Sequence, residues 1–290
     1  MANIKYGEQY VDDKFSATIE PNLFTDTVLI PGVTYTDKYQ EGNAGQIMVH
    51  KLDGGNAVKP GVPGRDFSDE AAKDELITIA INNNFQKSRK IYGVQANAVA
   101  FNAGEEYLAD ALNATKEGRQ YSAIACLANE GTKLNDTTQI TSANLVSYIT
   151  SLRKQIKDNH GKANFILAST AVYQIALQVL GLQSYADPAV VSGEMLKRFG
   201  LNIIECNSFD DDSAQYYDYT GTLKTVDLTN VEMICGYNEA FSVIDNFEMY
   251  RLVDSENFAG TKAQVEYNTG FRVNSPSQII VKTKGAIVSL

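Results

Sequence analysis

Positions 107, 108, 111, 112 and 115 share one face of a helix with 3.6 residues per turn, and the same spacing resumes from 121 to 128. This pattern predicts one long helix over 103–129, roughly 40 Å in length at 1.5 Å per residue. Gly131 is a suitable terminator. Gly118 lies near the middle, where glycine costs about 1 kcal/mol relative to alanine. We therefore expect a bend there.

Helical and strand patterns alternate from residue 141 to residue 246. Thr141 or Ser142 caps a predicted helix that ends near residue 159. A strand at 164–169 leads into a helix that ends at Gly181, and another helix is predicted at about 190–199. The other predicted elements are strands at 201–207, 231–237 and 240–246, and an exposed loop or hairpin at 210–221. The buried stripe of the first helix consists of Leu145, Ile149, Leu152 and Ile156.

The last section is strand-like throughout, with predicted strands at 247–254, 262–274 and 277–284. Apolar and polar residues alternate around Val265 and Tyr267 and again around Phe271 and Val273, which is the period of a half-buried strand. A glycine inside a strand often marks an irregularity. We expect a bulge or kink at Gly270.

The first 95 residues carry no long helical pattern. A polar arm runs to about residue 31, and strand-like runs follow at 33–39, 46–52 and 75–85. Between the last two lies a loop whose Pro60, Pro63, Gly61 and Gly64 exclude a regular ladder. An isolated two-stranded ribbon is marginal in water. This pattern predicts that the amino-terminal third has no partner in its own chain and is stabilised by neighbouring subunits.

Composition narrows the class of protein. The chain has 290 residues, 44% hydrophobic and 21% charged, which suits a soluble globular protein. A net charge of -10 argues against a protein that seeks nucleic acid, because phosphate binding needs clustered Lys and Arg. No apolar run approaches transmembrane or signal-peptide length. Cys126, Cys206 and Cys235 are widely spaced and odd in number, which favours buried free thiols in a reducing cytoplasm.

No catalytic or metal motif stands out. His50 and His160 are the only histidines, and neither has a nucleophile or ligand at motif spacing, so a structural role is favoured. The three cysteines fit small apolar positions. Asp210, Asp211 and Asp212 could hold a cation, but the calcium-loop spacing is missing and a solvated loop is the better interpretation.

Two further patterns fit structural roles better than functional motifs. The glycine-rich stretch 54–64 lacks the endings of phosphate-binding loops, so the tip of a ribbon explains it better. Ser169 and Thr170 follow a strand but lack the flanking glycines of a nucleophile elbow. They resemble a helix cap. We expect no enzymatic activity and no cofactor.

The order of arm, ribbon, long helix, α/β lobe and returning strands resembles that of the major capsid proteins of tailed bacteriophages, which have the α+β Hong Kong 97-like fold. The segment 231–282 is similar to the carboxyl-terminal pattern of that family, with Tyr237 and Phe241 near the lobe and a glycine–aromatic pair at Gly270 and Phe271. The segment 164–177 is similar to the strand and helix of its axial lobe. The likeness covers essentially the whole chain, although its motifs are loose.

The resemblance assigns a role to each segment. It implies an N-arm at 1–32, an extended hairpin called the E-loop at 33–92, a peripheral domain with the spine helix at 93–139, an axial domain at 140–245 and peripheral strands with the carboxyl terminus at 246–290. The subunits would form pentamers and hexamers of an icosahedral shell around double-stranded DNA, first as a procapsid. Residues near the ribbon tip, namely Lys59, Arg65, Asp66 and Phe67, would contact the next subunit.

The resemblance also implies partners and a location. The arm begins at once, so a separate scaffolding protein is expected, together with a portal and in some members a decoration protein. Assembly would take place in the bacterial host cytoplasm, and the protein would reside in the virion capsid without contacting a membrane. Some members crosslink Lys to Asn. Lys51 and Lys59 lie in or near the ribbon, but no Asn partner is identified, so no crosslink is predicted.

Two alternatives stay open. An encapsulin-like compartment shares the fold but encloses enzymes, so the contents of purified particles separate it from a capsid. A Cys- or Ser-dependent hydrolase with a mobile ribbon lid belongs to another class. It predicts a monomer or small oligomer with a perturbed nucleophile, and it leaves residues 1–92 unexplained.

Overall fold

The computed structural model describes residues 34, 46–52, 74–93, 103–134, 136–181, 196–198 and 200–284. Within these ranges the helices are α1 Ala103–Glu130, α2 Leu145–Asp158 and α3 Thr170–Ala176, and α3 continues as a π-helix over Leu177–Gly181. The strands are β1 Gln46–Leu52, β2 Asp74–Ala80, β3 Asn83–Tyr92, β4 Thr132–Lys133, β5 Phe165–Ala168, β6 Leu196–Arg198, β7 Leu201–Glu205, β8 Ala214–Tyr217, β9 Leu223–Val226, β10 Val231–Gly236, β11 Phe241–Asp254, β12 Gly260–Val273 and β13 Ile279–Thr283.

Helix α1 confirms the long helix predicted from the apolar spacing. Its 28 residues span about 42 Å. The helical backbone continues through Gly118, and the bend stays a prediction. A Cβ atom at Gly118 would lie 3.5 Å from a ring carbon of Phe85, so the glycine brings strand β3 close to the helix.

A three-stranded antiparallel sheet, in the order β11-β12-β3, covers the first half of α1. Its buried face carries Ala263, Val265 and Tyr267 of β12, which pack against Leu108 and Ala111 of the helix. Alternate residues of β12 point to the other, polar face, as expected for a sheet with one solvated side.

This sheet corrects the interpretation of the amino-terminal third. The run 75–85 is not one strand: it breaks at Ile81 and Asn82 into β2 and β3. Strand β3 pairs with β12 from Asn83↔Thr269 to Tyr92↔Gly260. The expectation that the amino-terminal third has no partner in its own chain is therefore wrong for residues 83–92. It is also wrong for β1 and β2, because Ile47, Ile77 and Ile79 pack with Ile244 of β11.

A six-stranded sheet, in the order β4-β13-β10-β5-β7-β6, forms the second layer. Its central strands are buried on both faces: Phe165 and Leu167 of β5 face the second half of α1, whereas Ile166 and Ala168 face α2 and α3. The predicted stripe of α2 is confirmed, since Leu145, Ile149, Leu152 and Ile156 are its buried residues. Helix α1 therefore joins the two sheets through one apolar core.

Several local predictions are wrong. Leu196–Arg198 is a strand antiparallel to β7, not part of a helix, and residues 190–195 and 199 lie outside the described ranges. The residue at the start of α2 is Asn144, whose side chain accepts a hydrogen bond from the Thr141 amide at 2.7 Å. Strands predicted at 240–246 and 247–254 form the single strand β11. The bulge lies in β11 between Asp245 and Phe247, not at Gly270.

The segment 210–221 contributes to a hairpin, which is one of the two forms predicted for it. Strands β8 and β9 pair antiparallel from Ala214↔Val226 to Tyr217↔Leu223. It is not wholly exposed, because Ala214 and Tyr216 belong to the core under the six-stranded sheet. This hairpin lies beside α1 and beneath the start of the ribbon described next.

Candidate subunit-contact surfaces

The ribbon is the antiparallel pair β1–β2, with a register that runs from Gln46↔Ala80 to Leu52↔Asp74. One face carries Ile47, Ile77 and Ile79, which pack with Ile81 and with Ile244 of β11. Successive residues of a strand point to opposite faces. The ribbon is therefore anchored to its own chain by one apolar face, and its second face is left to other contacts.

The second face of the ribbon exposes apolar side chains. Met48 and Leu76 are 55% and 51% exposed, and the register Met48↔Thr78 and His50↔Leu76 makes them diagonal neighbours on one face. Neither outer edge of β1–β2 pairs with another strand within the described residues. Unpaired edges with exposed apolar side chains are a template for another chain.

A close backbone approach sets the angle between the ribbon and the body. A Cβ atom at Gly270 of β12 would lie 2.6 Å from the carbonyl oxygen of Ala80, so no larger residue fits without moving the end of β2. Arg272, two residues further along, donates from Nη1 to the Thr78 carbonyl at 2.7 Å. The guanidinium of Arg272 also stacks 3.9 Å from the centre of the Tyr219 ring.

The junction between β2 and β3 is clasped by the β8–β9 hairpin. The side-chain amide of Asn82 donates to the Asp218 carbonyl at 2.8 Å. The side chain of Asn83 donates to the Tyr217 carbonyl at 3.1 Å and accepts from the Tyr217 backbone amide at 2.8 Å. It therefore makes the two hydrogen bonds that the backbone of a paired strand residue would make. At the other strand of the ribbon, Lys51 Nζ donates to the Asn274 carbonyl at 3.1 Å. These bonds hold the ribbon at its base through Asn82 and Asn83, and near the far end of the described strand pair through Lys51.

A half-buried carboxylate lies behind Arg272. Glu130, at the end of α1, accepts hydrogen bonds from the Val273 amide at 3.1 Å and from the Tyr216 hydroxyl at 3.4 Å. Burial raises the pKa of Glu130 from its ordinary 4.5, and the Val273 amide and the Arg272 charge oppose that shift. Burial also raises the pKa of the neighbouring Cys126 thiol. Glu130 therefore joins the helix, β12 and the hairpin at the foot of the ribbon.

The raised pKa of Glu130 leads to a pH-dependent prediction. A group with a raised folded-state pKa stabilises the fold below its unfolded pKa, and that contribution is lost as pH rises through the folded value. Glu130→Gln keeps the acceptor oxygen for Val273 but cannot ionise. We expect the free energy of unfolding of the variant, relative to the parent chain, to increase from about pH 4 to pH 8 in urea titrations. A difference that is constant across this range would contradict the assignment.

The edge strand β11 offers a second exposed apolar surface. Tyr250 and Leu252 are 62% and 46% exposed and stand opposite Val265 and Ala263. Directly opposed residues share one face of a sheet, so these side chains lie on the side covered by α1 but beyond the reach of the helix. The outer edge of β11 has no partner strand among the residues that the structure describes.

The predicted contact residues and cysteines differ in where they lie. Lys59, Arg65, Asp66 and Phe67 lie outside the described residues, as does most of the run 33–39. Cys126, Cys206 and Cys235 are buried free thiols as predicted, and burial raises the pKa values of Cys206 and Cys235 to about 12. A buried thiol with such a pKa is a poor nucleophile at neutral pH.

The remaining candidates are placed as follows. Ser169 caps α3, accepting from the Val172 amide at 3.5 Å, as predicted. His160 is exposed after α2, with a positive φ of 59°, and His50 lies in β1. Asp211 accepts from the Ser213 amide at 2.9 Å. Among the described residues no group of three or more His, Cys, Asp and Glu is arranged as a metal site.

Sequence reasoning missed the residues that fix the ribbon. Arg272, Asn82 and Asn83 act through backbone carbonyls far away in the chain, and no motif marks them. The sequence did contain one signal for the contact surfaces, because Met48 and Tyr250 are apolar residues on strand faces that are otherwise polar. No helix in the described part of the chain is both long and apolar enough to cross a membrane.

Comparisons with known proteins identify the fold. No protein-family model and no curated protein matches the chain. Among solved structures, a structure from Mycobacterium phage Che8 has a TM-score of 0.71 at 14% identity, covering 95% of this chain and 97% of that one. The capsid structure of the Cyanophage P-SCSP1u has a TM-score of 0.72 at 14% identity, with 95% and 93% covered.

A third structure agrees with these two. The capsid of Myoviridae phage XM1 has a TM-score of 0.61 at 15% identity and covers 98% of this chain and 99% of that chain. The likeness runs almost from end to end in both directions, so it concerns the whole architecture and not one lobe. The chain has the mixed helix-and-sheet fold of the proteins in these phage capsid structures.

Proposed function

We propose that this chain is a major capsid protein of a tailed bacteriophage, with the Hong Kong 97-like fold. Its copies would form pentamers and hexamers of an icosahedral shell that encloses double-stranded DNA. The observation that carries the proposal is the end-to-end likeness to phage capsid chains, at coverages of 93% or more on both sides. The chain is a structural subunit in this account, not an enzyme.

The segments take roles that fit this proposal. Helix α1 serves as the spine of the peripheral domain, with the three-stranded sheet beside it, and the six-stranded sheet with α2 and α3 forms the axial domain. The ribbon β1–β2 belongs to the E-loop. Its exposed face, with Met48 and Leu76, lies on an adjoining copy. A second copy is the partner because the contact then repeats at every subunit, so weak single contacts add up.

The charge of the chain suits a wall around DNA. A net charge of -10 repels the phosphate backbone, so packaged DNA slides along the shell without adhering to it. We further propose that assembly takes place in the cytoplasm of a bacterial host with a separate scaffolding protein and a portal. The finished shell is part of the virion.

Electron microscopy of sedimented particles tests the proposal. The full chain is expressed in bacterial cytoplasm, alone and together with a scaffolding protein, and the particles are imaged after negative staining. Closed shells with fivefold and sixfold capsomers are expected. A monodisperse, protease-resistant monomer of 31.8 kDa under both conditions contradicts the proposal. Particles that enclose an enzyme, as distinct from the scaffolding protein, indicate an encapsulin-like compartment.

The exposed ribbon face leads to a specific prediction. Met48→Asp together with Leu76→Asp places two carboxylates on a surface that is exposed in the single chain, so the fold is expected to keep its thermal midpoint within about 2 °C. The same charges are buried without a partner in an assembly, which costs several kcal/mol per contact. We expect the sedimenting particle fraction to fall at least tenfold.

Conservative variants provide the control. Met48→Leu and Leu76→Met keep apolar side chains of similar volume and are expected to leave particle yield within twofold of the parent chain. If the two aspartates leave particle yield unchanged, the ribbon face does not contact a neighbour. If the conservative variants lose particles as well, the effect has another cause.

A further inference from the structure

The axial lobe carries opposite charges at its two ends. One end presents Lys154 and Lys157 of α2 and Lys162 in the following loop, all exposed. We call these three lysines the basic pole. The other end presents Glu205, Asp210 and Asp212, also exposed, with the half-buried Asp211 beside them. We call these four carboxylates the acidic pole.

Strand register places the poles at opposite ends of the six-stranded sheet. Helix α2 ends at the edge of the sheet where β5 begins. The side chain of Asn159, directly after the helix, donates to the Ser277 carbonyl, which lies next to the start of β13 at that same edge. Strands β5 and β7 are parallel, from Phe165↔Asn202 to Ala168↔Glu205. Glu205 therefore ends β7 about 10 Å from the starting edge of the sheet, at 3.3 Å per residue. The acidic loop continues from there.

The charges of both poles lack an ion-pair partner among the residues that the structure describes. None of the ion pairs between described residues involves a lysine of the basic pole or a carboxylate of the acidic pole. Asp158 is the one carboxylate of α2, and it lies within the basic pole. Lys154 and Lys157 are three residues apart, so they share one face of the helix. Each pole is a charged surface in a chain whose net charge is strongly negative.

We propose that the basic pole of one copy contacts the acidic pole of the next copy around the capsomer ring, and this inference rests on the proposed function. A cyclic ring is built from head-to-tail contacts between two different surfaces of the same chain. In the proposed ring the basic pole of each copy faces the acidic pole of the next, so the same pairing of opposite charges repeats at every contact. The partner of each pole is therefore a second copy of this chain.

The expected role of the contact is to set orientation and rate. Exposed ion pairs are individually weak, but complementary surfaces steer association and reject the wrong register. Because the Debye length is about 8 Å at physiological salt, ring formation is expected to slow as sodium chloride is raised. The contact acts on assembly and not on the stability of the single chain.

Charge reversal and charge exchange test the inference. Lys154→Glu with Lys157→Glu makes both poles acidic, and Asp210→Lys with Asp212→Lys makes both poles basic. Each double variant is expected to yield at least tenfold fewer sedimenting particles than the parent chain, while the circular dichroism spectrum and thermal midpoint are unchanged. The fourfold variant that combines them exchanges the poles and is expected to recover particle yield to within about threefold.

A matched control separates complementary poles from net charge. Lys87→Glu and Lys116→Glu, combined with Asp210→Lys and Asp212→Lys, give the same net charge as the fourfold variant but leave the basic pole intact. This control is expected to assemble no better than the acidic-pole variant alone. If the charge exchange fails to restore assembly, or if single-pole variants assemble normally, the inference is wrong while the shell function stands. If the parent chain itself forms no particles, the proposed function fails.

Discussion

Replacing Lys282 with methionine is expected to lower the free energy of unfolding by about 3–5 kcal/mol, because it leaves a buried charge and several buried carbonyls without a partner. Lys282 is 0% exposed and lies in β13. Its Nζ donates to the carbonyls of Asp136, Thr138 and Thr283 at 2.8, 2.6 and 2.9 Å. Glu232 Oε2 lies 3.6 Å from the same nitrogen.

The buried lysine holds the connection between β4 and α2 on the six-stranded sheet. The segment 136–140 leaves β4 at the end of α1 and leads to α2, and two of its carbonyls accept from Lys282. The Ile140 amide donates to Glu232 Oε1 at 3.1 Å. Without the lysine, the Glu232 carboxylate is buried beside carbonyl dipoles that repel it. The loss is therefore expected in the folded state and not in the denatured chain.

Urea unfolding measures the effect, with two comparisons. Lys284→Met removes an exposed lysine two residues further on and is expected to change stability by less than about 0.5 kcal/mol. Lys282→Met with Glu232→Gln removes both charges, keeps an acceptor for Ile140, and is expected to recover about half of the loss. A loss below about 1 kcal/mol for the single variant would show that the buried pair is not a structural clasp.

Replacing Gly270 with valine is expected to unseat the ribbon and to cost about 1–3 kcal/mol, the usual range for overpacking. A Cβ atom there would lie 2.6 Å from the Ala80 carbonyl oxygen and 3.3 Å from the Ile81 Cα, so backbone must move. The displaced segment carries Ile79 and Ile81, which form the apolar anchor of the ribbon with Ile244. The lost contacts are therefore those that orient the ribbon.

Gly118→Ala is the matched glycine control. Its Cβ would meet Phe85 at 3.5 Å, an ordinary van der Waals distance, so the gain in helix propensity, up to about 1 kcal/mol, is expected to prevail. Gly270→Val should reduce particle yield together with stability, whereas Gly118→Ala should preserve both. If Gly270→Val assembles as well as the parent chain, the angle of the ribbon does not depend on this contact.

The periodic elements could be predicted from the sequence because their signals are local. The spacing of apolar positions gave α1 almost to the residue, and the stripe of α2 identified its buried side. In α2 and in the first half of α1 one face is buried, so the apolar residues follow the period of the helix. Residues 122–128 of α1 are buried on all sides, and there the continuous apolar run indicates the helix. The same holds for β12, where alternating residues face α1.

Strand pairing could not be predicted in the same way. The partner of β3 is β12, about 180 residues later, and the continuous run 75–85 gives no local sign that the chain changes sheet at Ile81. The sequence predicts helix at Leu196–Arg198 because a short apolar run suits the period of a helix as well as that of a strand. In each case a tertiary contact outweighs the local pattern.

The presence of a contact ribbon could be predicted from the sequence, but the residues that orient it could not. An amino-terminal ribbon with unsatisfied edges was expected, and the pair β1–β2 is present with Met48 and Leu76 exposed. The residues that orient it, such as Arg272 and Asn83, use backbone carbonyls as acceptors, which every residue provides. The charge poles likewise depend on the parallel register of β5 and β7, which the residue types do not reveal.

Hydrogen exchange on assembled and dissociated protein tests the central claim most directly. The claim is that the ribbon lies on an adjoining copy, so the amides of β1 and β2 are covered only in the particle. Their exchange is predicted to slow at least tenfold on assembly, while amides of β5 and β10 in the core exchange equally slowly in both states. Equal exchange of the ribbon amides in particles and in free subunits would contradict the account.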